Sequence, residues 1–488
     1  MPRPDPVTSL EVYITAAEAY PAFEDMFLAA RSEIWASFRV FDLSTGLRSP
    51  RARAVGRDWF DLFFHTLRRG VDITLTLADF DPIVATRMHR ESWAAARKLA
   101  GVADLASDAP GKLTFRVARH PARVGALPRM AFAGKVKEKL GERDPDELTP
   151  GLQDLSSIPD LSPATHHQKI AVFDREILFI GGLDLNERRF DTPRHDQASA
   201  QTWHDVHLRV TGPVVAAAQR HVETFEAVTE GRVRPQPPAE GFVRTLSARR
   251  AVEVLHIAPR TLCSEIFAAH VAAIRGADRL IYLETQFFRD HALASALARR
   301  GAEVPDLKVI LVLPAAPEDV AFEGNDGPDA RFGEHLQVDC IDTLRKAFAD
   351  RLLVCSPVRA ARAHAAPAAR LHGAPIVYVH SKVSVFDTGA AIVSSANLNG
   401  RSMNWDTEAG ILLRRPEHVE QVRGKVMGHW MPEPLDEAPA ARFDRWSRAV
   451  RANFITPPDG VSHYLLPYDL KRAERVAEDI VGLPDSMV

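Results

Sequence analysis

The stretch from residue 166 to 186 reads HHQKIAVFDREILFIGGLDLN, and the stretch from 379 to 399 reads VHSKVSVFDTGAAIVSSANLN. The two align without a gap, and each contains a histidine, a lysine two residues later and an aspartate five residues beyond the lysine. Two matched copies of this length indicate a duplicated chain. The motif residues are His167, Lys169 and Asp174 in the first half and His380, Lys382 and Asp387 in the second.

Each motif lies in an apolar, β-branched run, which predicts a β-strand. Residues two apart on a strand face the same side, so each histidine should point the same way as its lysine. A lysine beside an imidazole suits the binding of a phosphate oxygen. With two such pairs facing one phosphoryl group, one histidine could attack phosphorus while the other protonates the leaving oxygen. The lysines would stabilise the charge that develops on the other oxygens.

A metal site at the motifs is the alternative interpretation. His166 and His167 are adjacent, so on a strand they would face opposite sides and could not hold one ion. The sequence contains neither Cys-x-x-Cys nor His-Glu-x-x-His. We therefore predict no metal ligand, and the motif chemistry requires no cofactor.

The duplicated His-x-Lys-x4-Asp pattern resembles the hallmark of the phospholipase D superfamily. The segments at 189–193 (RFDTP) and 203–205 (WHD) are most similar to eukaryotic-type phospholipases D and their bacterial relatives. The segment at 281–288 resembles the family's Ile-Tyr-x-Glu-Asn-Gln-Tyr-Phe stretch. The departures, which could alter substrate choice, are Asp184 and Thr285 where asparagine is usual and Ser394-Ser395 in place of Gly-Ser.

Helical patterns alternate with apolar strands, which predicts an α/β fold of two similar lobes, each with a central, mostly parallel mixed sheet flanked by helices. The resemblance implies a pseudo-twofold arrangement with the active site between the lobes. We expect lobes at 1–235 and 242–431, joined by a Pro-rich linker, and an irregular tail at 432–488 that packs on the core. The docking residues of the tail would be Phe443, Trp446 and Phe454.

Two insertions precede the motifs, at 135–165 and 359–370. The first is charged and Pro-rich with a short predicted helix at 136–140, and the second is rich in Ala and Arg. Their position upstream of the motif strands leaves two interpretations open, a cleft mouth or solvated surface loops.

A catalytic imidazole needs an acceptor on its second nitrogen, and the resemblance implies a downstream acid in each half. Asp205 is the candidate for His167, and Glu408 is the candidate for His380, with Asp406 as a substitute. The aspartates that complete the catalytic motifs, Asp174 and Asp387, have the wrong strand parity to face phosphate, so we interpret them as structural acceptors at the strand ends.

Four further residues are candidates for substrate binding. Asn397 can donate an amide hydrogen to a phosphate oxygen, and Asp184 matches it in the first half. Glu284 and Gln286 share a strand face that the resemblance places near the cleft, with burial as core polar groups the alternative.

The composition is that of an ordinary globular protein, with 46% hydrophobic and 26% charged residues among 488. The net charge of −3 argues against a general nucleic-acid binder. We see no run of about 18 apolar residues and no signal peptide, and the three scattered cysteines fit reduced thiols. These features predict a cytoplasmic protein or one at the membrane periphery, with export by a non-Sec route as the alternative.

The resemblance implies a phospholipase D that hydrolyses the distal phosphodiester of glycerophospholipids, phosphatidylcholine above all, to phosphatidic acid and an alcohol. His167 would be the nucleophile of a phosphohistidine intermediate and His380 the general acid, and an alcohol could replace water in transphosphatidylation. The alternatives are a cardiolipin-synthase-like phosphatidyltransferase, a superfamily nuclease or a non-catalytic scaffold, the last disfavoured by two intact motifs. We expect a monomer with peripheral membrane contact and no stably bound nucleic acid.

Overall fold

The computed structural model describes residues 5–141, 160–325, 327–364, 366–432, 434, 437–480 and 484–487. Within them the strands form two large sheets. One is built from residues before the segment 230–241 in the sequence, and the other from residues after it. Each sheet is flanked by helices, so the predicted α/β fold class is confirmed. Part of the first insertion, residues 142–159, lies outside the described residues.

The first sheet has seven strands in the order β1-β7-β6-β5-β2-β3-β4. Its strands are β1 (Ser9–Ile14), β2 (Glu33–Phe38), β3 (Asp72–Asp79), β4 (Leu113–Arg119), β5 (Ile170–Phe173), β6 (Ile177–Gly181) and β7 (Val206–Thr211). Its helices are α1 (Thr15–Ala29), α2 (Pro50–Arg53), α3 (Trp59–Arg68), α4 (Thr86–Leu105), α5 (Ala126–Ala131), α6 (Ala133–Gly141) and α7 (Val214–Thr229).

The second sheet has nine strands in the order β20-β13-β12-β10-β16-β17-β19-β8-β9. Its strands are β8 (Phe242–Ala248), β9 (Arg260–Ser264), β10 (Leu280–Thr285), β12 (Lys308–Val312), β13 (Leu352–Pro357), β16 (Lys382–Phe386), β17 (Ala390–Ser394), β19 (Glu408–Leu413) and β20 (Leu465–Pro467). The two-residue pairs are β11 (Phe288–Arg289) with β18 (Leu398–Asn399) and β14 (Arg370–Leu371) with β15 (Ala374–Pro375).

The helices of this half are α8 (Glu265–Gly276), α9 (His291–Glu303), α10 (Pro328–Phe348), α11 (Gly400–Asn404), α12 (Pro416–Trp430), α13 (Pro439–Phe454) and α14 (Leu470–Val476). Short 3₁₀ turns lie at Glu187–Arg189, Ser199–Gln201, Ala349–Arg351, Pro367–Ala369, Pro458–Gly460 and Asp485–Met487, and a π turn lies at Asp319–Glu323.

The strand orders repeat the duplication seen in the sequence. Reading β8-β19-β17-β16-β10-β12-β13 against β1-β7-β6-β5-β2-β3-β4 matches the second sheet to the first strand for strand, with β9 and β20 added at its edges. The motif strands β5 and β16 are therefore equivalent, and each lies between an antiparallel hairpin partner and an antiparallel neighbour, β2 or β10.

Within the two large sheets, parallel pairing is confined to β2-β3-β4 and β10-β12-β13. The other neighbours in both large sheets pair antiparallel, so the sheets are mixed and the expected predominance of parallel pairs is not found. Part of the reason is that β5 and β6 are joined by a tight turn, as are β16 and β17, and short connections join antiparallel strands.

One hydrophobic core joins the two halves. It contains side chains of β5 and β6 together with side chains of β16 and β17, including Ile170, Val172, Val383 and Val385. Each half also has an outer core of its own between its sheet and its helices. The strands that follow the two motifs therefore contribute to one shared core, and this places both motifs in one region.

Two local predictions differ from the structure. The pattern predicts an irregular tail, but residues 439–454 form α13 and β20 extends the second sheet beside β13. Phe443 and Trp446 are buried on α13 as expected for docking residues, whereas Phe454 is 51% exposed. The spacing of Phe443, Trp446 and Val450 is that of one helical face, which explains the helix. The short helix predicted at 136–140 lies within α6.

Candidate active site

Backbone hydrogen bonds that cross between the two halves bring the two motifs together, and we call this arrangement the backbone exchange. The His167 N–H donates to the carbonyl oxygen of Thr407 (2.9 Å), and the Thr407 N–H donates to Thr165 (2.9 Å). The equivalent bonds in the other half run from the His204 N–H to Tyr378 (2.8 Å) and from the His380 N–H to His204 (2.8 Å). The backbone of His167 is therefore bonded to the segment that precedes β19 of the second half. The backbone of His380 is bonded to the segment that precedes β7 of the first half.

This exchange reverses the predicted pairing of acids and histidines. Nδ1 of His167 lies 2.9 Å from Oε1 of Glu408, and Nδ1 of His380 lies 2.6 Å from Oδ2 of Asp205. The prediction that Asp205 serves His167 and Glu408 serves His380 is wrong. It assumed that each half builds its own histidine–acid pair, whereas the cross-connected backbones bring each acid to the other half's imidazole.

The substitute acid, Asp406, has another role. Its Oδ1 accepts the Thr165 N–H (2.7 Å), and its carboxylate pairs with Nε of Arg401 (3.0 Å). These contacts fix the segment that leads into the first motif, so Asp406 supports the backbone exchange and does not contact His380 among the described bonds.

Both orienting acids are fully buried, and burial raises their pKa values. The pKa of Asp205 rises to about 6, with the charge of Lys382 opposing the rise. Burial likewise raises the pKa of Glu408, against the charge of Lys169 and a hydrogen bond from Ser395 Oγ (2.5 Å). At neutral pH these carboxylates can accept the Nδ1 hydrogen, which leaves Nε2 of each imidazole with its lone pair free.

The motif histidines are held neutral. Burial, followed by the charge of Lys169, lowers the pKa of His167 well below its usual value. Burial, followed by the charges of Lys382 and Lys169, does the same for His380. Each lysine acts on the histidine of the other half as well as its own, so the two motifs share one electrostatic site. A neutral imidazole is the form that can attack phosphorus.

The motif lysines are buried cations beside their histidines. Nζ of Lys169 donates to the His167 carbonyl (2.5 Å) and lies 3.7 Å from Oδ2 of Asp184. Nζ of Lys382 lies 3.0 Å from Nδ1 of His380 and donates to the His380 carbonyl. Burial lowers the pKa of Lys169 to about 8 and that of Lys382 to about 7. A bound phosphate would restore both to the charged form, because the anion adds a favourable partner.

Two arginines that the sequence analysis did not select add positive charge. Arg39 follows β2, and its charge lowers the pKa of His167 and of Asp184. Arg189 lies on the 187–189 turn, with Nε 3.7 Å from Asp184 and its guanidinium 4.6 Å from the Trp203 ring centre. The ring of Trp203 in turn lies 4.5 Å from the His380 ring. The Arg-Phe-Asp-Thr-Pro and Trp-His-Asp segments were a usable signal for Arg189 and Trp203, but nothing local marked Arg39.

The candidate substrate-binding residues fall into two groups. Asp184 is fully buried, accepts the Val40 N–H (2.9 Å) and faces Lys169 and Arg189. Its negative charge positions these cations and would repel a phosphate, which disfavours direct contact. Asn397 donates through Nδ2 to Gln286 (3.2 Å), and its buried Oδ1 has no hydrogen-bond partner in the part of the chain that the structure describes. Asn397 and Gln286 thus form one polar pair, in which Gln286 is only partly buried.

Glu284 is a buried core polar group, the second of its two interpretations, and it contacts the second motif through Ser381, which lies between His380 and Lys382. Its carboxylate is fully buried and accepts hydrogen bonds from Nε2 of His204 (2.9 Å), Nε1 of Trp430 (2.6 Å) and the Tyr282 hydroxyl (2.5 Å), with a further bond from Ser381. Strand parity gave the face on which Glu284 lies, but only the packing of α12 and the Trp-His-Asp segment decided that this face is interior.

The motif aspartates act at the strand ends, as their parity indicated. Asp174 accepts the backbone N–H groups of Arg31 (2.9 Å), Ser32 (2.8 Å) and Glu33 (3.1 Å). Asp387 accepts the equivalent groups of Asp278 (2.7 Å), Arg279 (3.1 Å) and Leu280 (2.7 Å). Both aspartates have positive φ, of 50° and 51°. They therefore fix the turn that precedes β2 or β10 and lie away from the phosphoryl chemistry.

The chain is similar to several known proteins. The family model described as "Cardiolipin synthase, PLD-like domain" matches residues 271–430. Phospholipase D alpha 3 of Arabidopsis thaliana is 23% identical over 405 residues, covering 58% of this chain and 49% of its own length. Cardiolipin synthase A of Pseudomonas putida (strain GB-1) is 25% identical over 277 residues, covering 56% of this chain and 48% of its own length.

Phospholipase D gamma 1 of Arabidopsis thaliana is 23% identical over 209 residues, which cover 25% of this chain and 23% of the relative. The chain thus spans about a quarter to a half of the length of the curated relatives it matches. Among the described residues, none of the helices combines the length and apolar character that crossing a membrane requires.

The fold has a solved counterpart. The crystal structure of phosphatidylserine synthase from Haemophilus influenzae Rd KW20 superposes with a TM-score of 0.52 at 11% identity, covering 91% of this chain and 93% of that one. At this identity the likeness supports the fold and not the activity. Together with the PLD-like domain match and the curated relatives, it confirms the predicted resemblance of this chain to the phospholipase D superfamily.

Proposed function

We propose that this chain is a phospholipase D-type phosphodiesterase that cleaves the distal P–O bond of a glycerophospholipid through a phosphohistidine on His167. The single observation that carries the proposal is the crossed histidine–acid arrangement. Two neutral, buried imidazoles each have Nδ1 engaged by a carboxylate of the opposite half and a lysine at their side.

In the first half-reaction, Nε2 of His167 attacks phosphorus while the bond to the headgroup oxygen breaks. His380, neutral before substrate binds, takes up a proton from solvent when the anionic phosphodiester enters the site. It passes this proton from Nε2 to the departing alkoxide, so the alcohol leaves neutral. In the second half-reaction, His380 removes a proton from water, the resulting hydroxide attacks phosphorus, and the P–N bond to His167 breaks. The products are phosphatidic acid and the alcohol, and the enzyme returns to its starting state.

The assignment of the two histidines is supported by their acids. The contact between His380 and Asp205 is 2.6 Å, shorter than the 2.9 Å contact between His167 and Glu408. A closer carboxylate stabilises the imidazolium form more strongly, which favours His380 as the group that carries the proton. Bound phosphate favours the same protonation by adding negative charge beside the lysine-rich site.

The lysines and arginines supply the remaining chemistry. Lys169 and Lys382 lie beside the two histidines, and Arg39 and Arg189 add positive charge around Asp184. Charge on the non-bridging oxygens is thereby stabilised in a site shielded from water, where such interactions are strong. These residues can perform the charge stabilisation that a divalent ion performs in other phosphoryl-transfer enzymes.

A lipid substrate is supported by the names of the relatives and by an exposed apolar surface. Residues of α5 and of the 252–255 segment lie side by side, joined by a bond from the Leu127 N–H to the Val254 carbonyl (3.0 Å). Five large apolar side chains of this apolar surface are 50–70% exposed: Leu127, Met130, Val252, Val254 and Leu255. Scattered apolar residues are normal on a surface, but a group of this size marks an interaction site.

Arginines border the apolar surface, although acids offset part of their charge: Arg249 pairs with Glu253 (2.8 Å) and Arg123 with Asp160 (3.8 Å). Burial lowers the pKa of Arg123, and the nearby charges of Arg119 and Arg249 lower it further. An apolar group with arginines at its edge suits the interface of a membrane that contains anionic lipid. The chain would act there as a monomer, since one chain holds both motifs, and without stably bound nucleic acid.

A second candidate is a phosphatidyltransferase, favoured by the match of residues 271–430 to the cardiolipin synthase PLD-like model. It differs only in the acceptor of the second half-reaction, an alcohol in place of water. A nuclease would use the same motifs on a nucleic-acid phosphodiester.

The experiment that separates these functions is a parallel assay of the purified chain on phosphatidylcholine, phosphatidylglycerol, cardiolipin and DNA, with products identified by mass spectrometry. Phosphatidic acid and choline from phosphatidylcholine support the proposal. Cardiolipin from phosphatidylglycerol supports the transferase, and cleavage of DNA alone refutes a lipid substrate. The His167→Ala, His380→Ala double variant is the control for contaminating activity.

Membrane contact has its own test. Val252→Ser and Leu255→Ser together should reduce sedimentation with vesicles of phosphatidylcholine and phosphatidic acid several-fold, because both side chains are about 70% exposed. The matched control is Ile455→Ser, an exposed apolar residue beyond α13 (84% exposed). Equal binding by the control and the double variant would exclude the apolar surface as the contact.

A further inference from the structure

Three histidines converge where the first half meets α12 of the second, outside the phosphoryl site. His195 lies in the loop after the 187–189 turn, His204 precedes Asp205, and His429 is the second-last residue of α12. Each ring offers a nitrogen, and these nitrogens all lie within 4.8 Å of one another. His195 and His204 are fully buried, and His429 is partly buried.

Two of the rings are oriented by buried carboxylates. Nδ1 of His195 lies 2.7 Å from Oδ2 of Asp191, and Nε2 of His204 lies 2.9 Å from Oε1 of Glu284. Both carboxylates are 0% exposed. A carboxylate on the outer nitrogen is the arrangement that orients histidine ligands at metal sites. It places the ring proton on the outer nitrogen and leaves the inner nitrogen, Nε2 of His195 or Nδ1 of His204, with a lone pair.

One inner nitrogen lacks a partner. Nδ1 of His204 is buried and makes no hydrogen bond among the described residues. Nε2 of His195 lies 2.9 Å from Nε2 of His429, and a hydrogen bond between these two nitrogens requires that one of them carry the proton. A buried acceptor without a donor destabilises the fold, so a lone pair aimed into a cluster of imidazoles indicates a missing ligand. A cation that accepts all three lone pairs would satisfy this requirement.

We propose that His195, His204 and His429 bind one divalent transition-metal ion of the zinc class. The ligands would be Nε2 of His195, Nδ1 of His204 and a nitrogen of His429. A ligand set of three imidazole nitrogens favours zinc over calcium or magnesium, which prefer oxygen. The fourth position would hold water or another small ligand on the partly exposed side of His429.

The geometry requires a small adjustment. Zinc–nitrogen bonds of about 2.0–2.1 Å in tetrahedral coordination place two ligand nitrogens roughly 3.3 Å apart. The present contact of 2.9 Å between His195 and His429 would therefore widen on binding, and any pair of ligand nitrogens now farther apart, up to 4.8 Å, would draw closer. His429, partly exposed at the end of α12, is the ligand with the most room to move.

The metal would link the first half, through His195 and His204, to α12 of the second half, through His429. His204 accepts the backbone N–H of His380 (2.8 Å), and Glu284 bonds to both His204 and Ser381. Successive residues in extended backbone face opposite sides, so the metal would lie on one side of the segment while Asp205 holds His380 on the other. The site is thus separate from the phosphate but fixes the segment that positions the general acid.

The test uses the full-length chain without an affinity tag, purified in chelated buffers and measured by elemental analysis. After incubation with Zn²⁺ and removal of excess, we expect about one equivalent of zinc per chain. Substitution of Co²⁺ should give the intense visible bands of tetrahedral coordination, and X-ray absorption should place imidazole nitrogens at about 2.0–2.1 Å from zinc. At free Zn²⁺ about 100 times Kd, the ratio of folded to unfolded chain should rise roughly 100-fold.

Two variants assign the site. His429→Gln changes a partly exposed helical residue with little risk to folding, and His195→Asn changes a buried one. Both should lose the zinc equivalent and the zinc-dependent rise in melting temperature. The matched controls are His335→Gln, on α10, and His167→Ala in the first motif, both of which should retain full binding.

The outcomes are decisive in either direction. Zinc binding that persists in both variants, or that disappears in His167→Ala, would overturn the assignment. Failure of the wild-type chain to bind a stoichiometric ion would mean that the three histidines form only a hydrogen-bonded network. Because stoichiometry and melting temperature are measured without substrate, the result stands whether or not the chain proves to be a phospholipase D.

Discussion

The crossed pairing of acids and histidines predicts that Asp205→Asn and Glu408→Gln impair different half-reactions. Asp205 holds His380, the proposed general acid, and Glu408 holds His167, the proposed nucleophile. Asp205→Asn should lower kcat on phosphatidylcholine about 10²-fold or more while leaving the melting temperature close to that of the wild type.

The magnitude follows from the contact that is lost. A hydrogen bond to a charged group contributes about 1.5–3 kcal/mol, and each 1.36 kcal/mol changes a rate about tenfold. This alone gives roughly 10- to 150-fold. The contact is 2.6 Å and fully buried, so water cannot replace the carboxylate. An asparagine amide can also donate to Nδ1 and select the wrong tautomer, which cost about 10⁴-fold in a serine protease triad.

The assay compares two substrates that differ in their leaving group. Phosphatidylcholine releases an alkoxide that needs a proton, whereas a p-nitrophenyl phosphodiester releases a weakly basic phenolate that does not. With the activated substrate, Asp205→Asn should still form the phosphohistidine and accumulate it, because only the second half-reaction needs His380. Glu408→Gln should form the adduct slowly with either substrate, because it weakens the nucleophile.

The opposite pattern would refute this reasoning. Accumulation of the adduct in Glu408→Gln and not in Asp205→Asn would mean that the histidine roles are reversed. Mapping the modified residue by mass spectrometry gives an independent check, since the adduct should lie on His167. Asp196→Asn, an exposed aspartate that accepts a hydrogen bond from Thr192, is the control and should be unaffected.

Three further predictions concern the same site. Burial lowers the pKa of Lys382 to about 7 and that of Lys169 to about 8, and only the protonated lysines stabilise phosphate, so kcat/KM should fall as pH rises through about 7–8. Lys382→Arg, whose side chain stays charged, should move this alkaline limb upward if it retains activity, and an unchanged pH profile would exclude Lys382 as its source. His167→Ala and His380→Ala should each abolish turnover of phospholipid, and the double variant should be no worse than either, because both act in one bond-making unit. A single variant that kept more than about a tenth of wild-type activity would contradict the two-histidine mechanism. Asp174→Ala and Asp387→Ala should each lower the free energy of unfolding by about 1–3 kcal/mol, measured by urea denaturation, because each carboxylate accepts three backbone N–H groups. Their kcat per folded molecule should stay near that of the wild type, and a large loss of kcat at full stability would assign them to the chemistry instead.

The sequence by itself determined the features that depend on local pattern. The gapless duplication identified both motifs, and strand parity correctly excluded Asp174 and Asp387 from the phosphate-facing side. Alternating helical and apolar patterns gave the α/β fold class and two similar halves, since periodicity and turn residues are properties of short stretches. Local pattern also predicted that Phe443 and Trp446 pack on the core, although it did not predict the helix on which they lie.

Only the tertiary structure decided which groups meet. The acids were correctly chosen but assigned to the wrong histidines, because the partners are 175 and 241 residues apart and belong to different halves. The same limitation hid the charge of Arg39 and the convergence of His195, His204 and His429, and it left the two interpretations of Glu284 open. Strand parity predicts the side of a strand on which a residue lies. The side chains that face it there depend on the backbone bonds between the two halves. This backbone exchange is set by long-range hydrogen bonds and a shared core, which no single stretch of the sequence contains.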